Sequence, residues 1–164
     1  MKTLLLLRHA KSSWDDPKLE DFDRPLNERG LRAAPLVGRF LREQKVSVDL
    51  VLSSPARRTR ETIQLVAQAA HLDAPVRFDE RIYEASVEQL LEVVSQIEEK
   101  VNKALLVGHN PGMEDLIFQL TGEAKRAPTG ALAQITLDEE KWSKVQPGCG
   151  TLDWLVKPRQ LEED

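Results

Sequence analysis

The chain has 164 residues, which fits a single domain over residues 1–164, and its 41% hydrophobic and 30% charged residues exclude disorder and fibrous repeats. A formal net charge of −4 argues against a general nucleic-acid or anionic-membrane binder. The single cysteine, Cys149, cannot form an internal disulfide, and one Cys with three His is too thin for a structural zinc site.

No apolar run approaches the roughly 18 residues needed to span a bilayer. Met1 to Leu7 resembles the start of a signal peptide, but Arg8 ends the apolar stretch after four leucines. A reduced, cytoplasmic setting and a monomer without membrane or nucleic-acid partners are expected.

Thr3 to Arg8 is a short apolar run that suits a buried strand. Asn27 is placed to cap a helix running to about Gln44, with Glu28 in its first turn and Pro35 expected to kink it or shift its start. Asp49 to Ser53 repeats the pattern of the first strand. Ser54-Pro55 predicts a helix opening with proline at its first position, carrying Ile63, Val66, Ala67 and Ala70 on one side. Ser86 and Gln89 form a capping-box pattern ahead of Leu90, Val94, Ile97 and Val101, which are spaced for one helical face. Ala104 to Gly108 is a third buried strand. Pro111 opens a helix with Met113, Leu116, Ile117 and Leu120 inward, and Gly122 stops it. Ala131 to Leu137 and Thr151 to Val156 alternate more, with a Pro-Gly turn between them, and predict two late antiparallel strands.

Strands apolar on both sides belong in a parallel sheet covered by helices. The expected architecture is therefore α/β: a three-layer α/β/α sandwich with a mostly parallel central sheet, helices on both faces and antiparallel C-terminal strands. Ligands of such sheets bind beyond the carboxyl ends of the strands. Here those ends carry Arg8-His9, the stretch Ser53 to Thr62, and Gly108-His109-Asn110-Pro111-Gly112. His71 falls at a helix end and reads as a surface residue. A lone histidine after a strand has an ordinary structural explanation, and Arg57, Arg58 and Arg60 could form a solvated face. Cations at a helix N-terminus oppose its dipole, however, and two histidines with several arginines at one sheet edge point to a phosphate site. No Walker loop or Gly-rich dinucleotide turn competes with that reading.

Three motifs together resemble the histidine phosphatase (phosphoglycerate mutase-like) superfamily: Arg8-His9, Ser53 to Thr62, and Val107 to Gly112. Arg8 to Trp14, Arg24-Pro25-Leu26-Asn27 with Gly30, and the close Trp154 to Pro158 resemble its small SixA-type phosphohistidine phosphatase branch. The resemblance covers residues 2 to 161. It implies a phosphoryl relay in which His9 is the nucleophile, Arg8 and Arg58 clamp the phosphate, and His109, protonated, stabilises charge on the equatorial oxygens. Arg58 is preferred to Arg57 because the family places threonine four residues after the arginine, and Thr62 fits. Arg24 and Asn110 are further candidate substrate contacts, with an ion pair to Asp21 or Asp23 as the alternative for Arg24. Glu80, three residues before Tyr83, is the candidate general acid. Its alternative is a surface glutamate, with Glu84 or water as the proton source. Ala10 departs from the commoner Arg-His-Gly. No metal and no cofactor is implied.

The stretch between Arg58 and His109 is taken up by a helix, a strand and another helix, which leaves little for a covering insertion. An uncovered site suits a phosphate presented on a protein surface, so phosphohistidine in a protein is the expected substrate. A phosphomonoesterase acting on a small phosphorylated metabolite is the alternative. A catalytically silent phosphate-binding module is disfavoured by the intact histidine and arginine set.

Overall fold

The computed structural model describes residues 1–162. Six strands form one sheet in the order β3-β2-β4-β1-β5-β6. They are β1 (Lys2–Arg8), β2 (Leu50–Ser53), β3 (Val76–Phe78), β4 (Lys103–Gly108), β5 (Leu132–Leu137) and β6 (Gly150–Val156). β1, β4, β2 and β3 run parallel, so their carboxyl ends share one rim. β5 pairs antiparallel with β1, and β6 with β5, as the alternating C-terminal sequence predicts.

The leucine run of β1 shows why the sheet needs helices on both faces. Leu4 and Leu6 enter one core, lined by α3 (Val87–Ser95) and α4 (Gly112–Thr121). Leu5 and Leu7 enter the other, against α1 (Glu28–Glu43) and α2 (Arg57–Ala70). All four are 2% exposed or less. Successive strand side chains point to opposite faces, so four consecutive leucines are tolerated only where both faces are covered. A short C-terminal helix, α5 (Pro158–Leu161), lies beside α1.

Most predicted boundaries hold, with three differences. α1 runs unbroken through Pro35, which removes the N–H that would reach the Leu31 carbonyl. Leu31 is 49% exposed, so water can serve that carbonyl. α2 starts at Arg57 rather than at Pro55, because Ser54 turns the chain first: its Oγ accepts from the Ala56 N–H and its carbonyl from the Thr59 hydroxyl. α3 ends at Ser95, yet Ile97 and Val101 still reach the core from the following turns.

Candidate active site

The ends of β1, β2 and β4 each step directly into a site residue. The His9 N–H donates to the Gly108 carbonyl and the Ser54 N–H to that of Val107, which ties the ends of β1, β2 and β4 together. Thr62 adds a second tie. Its hydroxyl donates to the Arg58 carbonyl at 2.6 Å and accepts from the Ala10 N–H at 2.9 Å, so the second turn of α2 grips the residue after His9. That bond gives the threonine four residues after Arg58 a physical reason. Gly30 has a comparable one: a Cβ there would lie 2.2 Å from the Lys11 carbonyl oxygen, so only glycine lets α1 approach the chain leaving β1.

His9 is 6% exposed, and its Nδ1 lies 2.6 Å from the Ala10 carbonyl oxygen. A carbonyl can only accept, so Nδ1 carries the proton and Nε2 keeps the lone pair. Burial, aided by the charges of Arg58, Arg8 and Arg24 and opposed by the bond to Ala10, pushes the His9 pKa down to about 4. The ring is therefore neutral near pH 7.

The His109 ring centroid is 5.3 Å from that of His9, and its Nε2 is 2.8 Å from the Ser54 hydroxyl. Burial, then His9 and Arg58, push His109 down to about 3, against a weaker opposing pull from Asp21. An imidazolium at this position, as the resemblance implies, thus requires an arriving anion to stabilise it. Two buried polar atoms in the site lack hydrogen-bond partners, His109 Nδ1 and Arg8 Nε. Buried polar groups are nearly always paired, so two unpaired atoms on neighbouring site residues are an exception that the fold alone does not explain. Arg8 is held from below by one bond, from Nη1 to the Ala127 carbonyl.

Arg58 is buried at the start of α2. It donates to the backbone carbonyl and the carboxylate of Asp21, at 2.7 and 3.0 Å. Arg24, also buried, donates to the other Asp21 carboxylate oxygen at 2.8 Å, to the Ser13 carbonyl at 3.0 Å and to the Ser12 hydroxyl. Its guanidinium carbon sits 3.3 Å from the ring centroid of Trp14. The Tyr83 hydroxyl donates to Asp21 at 2.7 Å. Burial acts to raise the Asp21 pKa, but the bonds from Tyr83, Arg24 and Arg58 prevail and hold it at about 2.

Asp21 is the residue that sequence reasoning undervalued. It entered only as a partner for Arg24, whereas it joins both arginines and the tyrosine. The surplus of cations at this rim was the available signal.

Two expected site residues stand elsewhere. Asn110 spends its amide N–H donors on Glu114 and the Ala127 carbonyl, and its oxygen accepts from the Glu114 N–H. It braces the loop that holds Arg8 rather than offering donors to a substrate. Glu80 opens a single 3-10 turn, Glu80–Ile82, is exposed, and its side chain makes no hydrogen bond among the described residues. Arg57 is exposed and pairs with Glu61, so of these two arginines only Arg58 joins the buried cluster. His71 caps α2 at the surface beside Arg42.

Among the described residues there is no group of three or more His, Cys, Asp or Glu placed to hold a metal ion, and no helix is long and apolar enough to cross a membrane. The arrangement can bind a tetrahedral anion between arginines and present a neutral imidazole nitrogen to its phosphorus.

The model of the histidine phosphatase superfamily (branch 1) matches residues 4–127. An uncharacterised protein of Mycobacterium tuberculosis is 35% identical over 166 residues, covering 93% of this chain and all of its own length. Phosphohistidine phosphatase SixA of Escherichia coli is 28% identical, covering 97% of this chain and 96% of that protein. The structure of the protein histidine phosphatase SixA complexed with tungstate superposes with a TM-score of 0.85 at 27% identity, covering 98% and 99% of the two chains. With the family model spanning most of the chain and both SixA proteins matching nearly end to end, the chain belongs to the histidine phosphatase superfamily, in its SixA-type branch.

Proposed function

We propose that this enzyme removes the phosphoryl group from phosphohistidine on a protein by way of a phosphohistidine intermediate on His9. The observation that carries the reading is the His9 Nδ1 to Ala10 carbonyl bond, which leaves Nε2 with its lone pair at a rim of buried arginines. Nε2 attacks phosphorus, forming a P–N bond. The substrate's own P–N bond breaks with its electron pair going to the departing imidazole, which leaves protonated or takes a proton from water. Water then attacks the phosphorylated His9, and inorganic phosphate leaves as Nε2 regains its pair.

Arg8 and Arg58 each retain N–H donors beyond those tied to Ala127 and Asp21, so both can take phosphate oxygens without releasing their anchors. His109, whose ring lies 5.3 Å from that of His9, supplies a further positive charge as the anion raises its pKa. Phosphoryl transfer depends mainly on such positioning and charge stabilisation. The likeness to SixA supports phosphohistidine as the substrate class. So does the leaving group: imidazole departs without strong acid help, and the described site offers no buried carboxylic acid for that task.

The test is to react wild type, His9→Ala and His109→Ala with a phosphohistidine protein, an aryl phosphate and an alkyl phosphate. Wild type should turn over the phosphohistidine protein fastest and yield an acid-labile phosphoenzyme mapping to His9, and His9→Ala should yield none. A label on another residue would overturn the nucleophile, and preference for an alkyl phosphate would favour the small-metabolite alternative.

A further inference from the structure

Outside the phosphate site a cluster of cations surrounds a pocket of about 210 Å³. Among the described residues Lys11, Arg29, Arg32, Lys157 and Arg159 line it, with Glu162 as the one carboxylate. Five cations against one anion stand together on a chain whose net charge is −4. Among the described residues none of the five forms an ion pair, whereas Arg24, Arg57, Arg58, Arg77 and Arg81 all have carboxylate partners. Folding alone does not explain gathering unpaired like charges, since their mutual repulsion costs stability.

The pocket is continuous with the catalytic backbone. Lys11 follows His9 by two residues. Pro128 and Thr129 also line the pocket, between Ala127, whose carbonyl holds Arg8, and Gly130, whose N–H donates to the carbonyls of Arg8 and His9. The Lys11 carbonyl accepts from the Asn27 N–H, which fixes the start of α1 and so the place of Arg29 and Arg32.

The character of these cations separates the pocket from a second phosphate clamp. At the phosphate site Arg58 and Arg24 are 7% exposed and anchored by several bonds. In the pocket Lys11, Arg29, Arg32 and Arg159 are exposed, without side-chain hydrogen bonds, and spread over three segments of the chain. Exposed charges without anchoring bonds at a rim do little for a small ligand that needs fixed geometry. They act on a large anionic surface, guiding its approach and setting its register.

Resting on the reading of a phosphohistidine protein as substrate, we propose that this pocket docks an acidic segment of that protein, carboxylates beside the phosphohistidine, while the phosphoryl group enters between Arg8 and Arg58. The site is then bipartite, with chemistry at His9 and protein recognition at the basic pocket.

The test uses the full chain with Arg29→Glu, Arg32→Glu and Arg159→Glu combined, and two measurements. First, a hexaglutamate peptide is titrated into isotope-labelled wild type. Resonances of Lys11, Arg29, Arg32 and Thr129 should shift, the shifts should shrink as salt rises, and the triple variant should lose them. Second, kcat/KM is measured at low and high ionic strength. The variant should lose roughly ten-fold or more on the phosphohistidine protein at low salt, where the Debye length is longest, and keep wild-type kcat on an aryl phosphate. Retained aryl phosphatase activity also shows that the variant folds.

Wild-type activity of the variant on the protein substrate at low salt would overturn the docking proposal. So would inorganic triphosphate shifting the pocket resonances while hexaglutamate does not, because the occupant would then be a small polyanion. Hexaglutamate binding lost in the variant, alongside a wild type that turns over no phosphohistidine protein, would uphold the pocket as a site for acidic segments and overturn the substrate reading alone.

Discussion

Asp21 and Arg58 are joined twice, the arginine donating to both the backbone carbonyl and the carboxylate of a residue on the loop between β1 and α1. The same carboxylate takes Arg24 and the Tyr83 hydroxyl, so one side chain sets the direction of two buried cations at the candidate site. A buried guanidinium without such an anchor would either swing toward solvent or leave its donors unpaired, and a bond to a charged group is worth about 1.5–3 kcal/mol.

Asp21→Asn keeps the shape, removes the charge and turns an N–H₂ toward one of the arginines. The expected result is a fall in kcat/KM of about ten-fold on an aryl phosphate, at the low end of the range because the Asp21 side chain is 42% exposed. Its pKa drops from 3.8 in the unfolded chain to about 2 in the folded one, so the stability it supplies is complete above pH 3.8 and lost as pH falls through 2. Thermal midpoints between pH 4 and 2 should therefore drop less for Asp21→Asn than for wild type. Parallel curves would show that the carboxylate does not anchor the arginines.

Gly30→Ala places a methyl group 2.2 Å from the Lys11 carbonyl oxygen, which as backbone cannot move cheaply. Overpacking of this kind costs about 1–3 kcal/mol, and here the chain that must give way leads back to His9. The urea midpoint should fall, and activity at a temperature well below unfolding should fall with it. A variant with wild-type midpoint and activity would mean that α1 shifts freely, and the glycine would lose its assigned role.

The fold was legible because β1, β2 and β4 are apolar on both sides and the helices between them carry one-sided patterns with readable caps, such as Ser86 and Gln89. Strand pairing was legible only by class. β3, with Val76 and Phe78 exposed at the sheet edge, has no alternation to announce it. In the site, the residues directly after strand ends, His9 and His109, were placed by local sequence. Asp21 was not, because its function lies in contacts to α2 and to Tyr83 that no short-range pattern encodes. Asn110 misled for the converse reason: it sits beside His109 in the chain, yet its amide is spent on Glu114 and Ala127.

The two site histidines should dominate stability at mildly acidic pH. The unfolded rings take up protons near 6.5, whereas the folded ones resist until about 4 for His9 and about 3 for His109. Between those values the unfolded state binds more protons, so stability is full above pH 6.5 and falls as pH drops toward 4 and below. Replacing both histidines with glutamine should flatten this part of the curve. Inorganic phosphate should steepen nothing above pH 6.5 but raise both histidine pKa values, an effect readable from imidazole resonances. Ring resonances that titrate near 6.5 in the free protein would contradict the buried, neutral pair.

The last prediction concerns Glu80. A carboxylic acid that donates a proton near neutral pH must be kept protonated, by burial or by a neighbouring negative charge, and Glu80 is exposed and unbonded on its 3-10 turn. Glu80→Gln should therefore change turnover of a phosphohistidine protein by less than about two-fold, because imidazole departs without acid help, whereas general-acid catalysis is typically worth roughly a hundred- to ten-thousand-fold where it operates. The aryl phosphate, whose leaving group stabilises its own electrons, should behave the same way. An alkyl phosphate is the discriminating substrate, since its alkoxide needs a proton as the P–O bond breaks. Near-wild-type values on all three make Glu80 a surface residue and leave water as the proton source, with Glu84, exposed on the same turn, to be tested by the same substitution. A loss of a hundred-fold or more confined to the alkyl ester would restore Glu80 as the acid and require the 80–84 segment to fold over the bound phosphate. An equal loss on all three substrates would instead mean that the turn positions Tyr83, and through it Asp21 and Arg58.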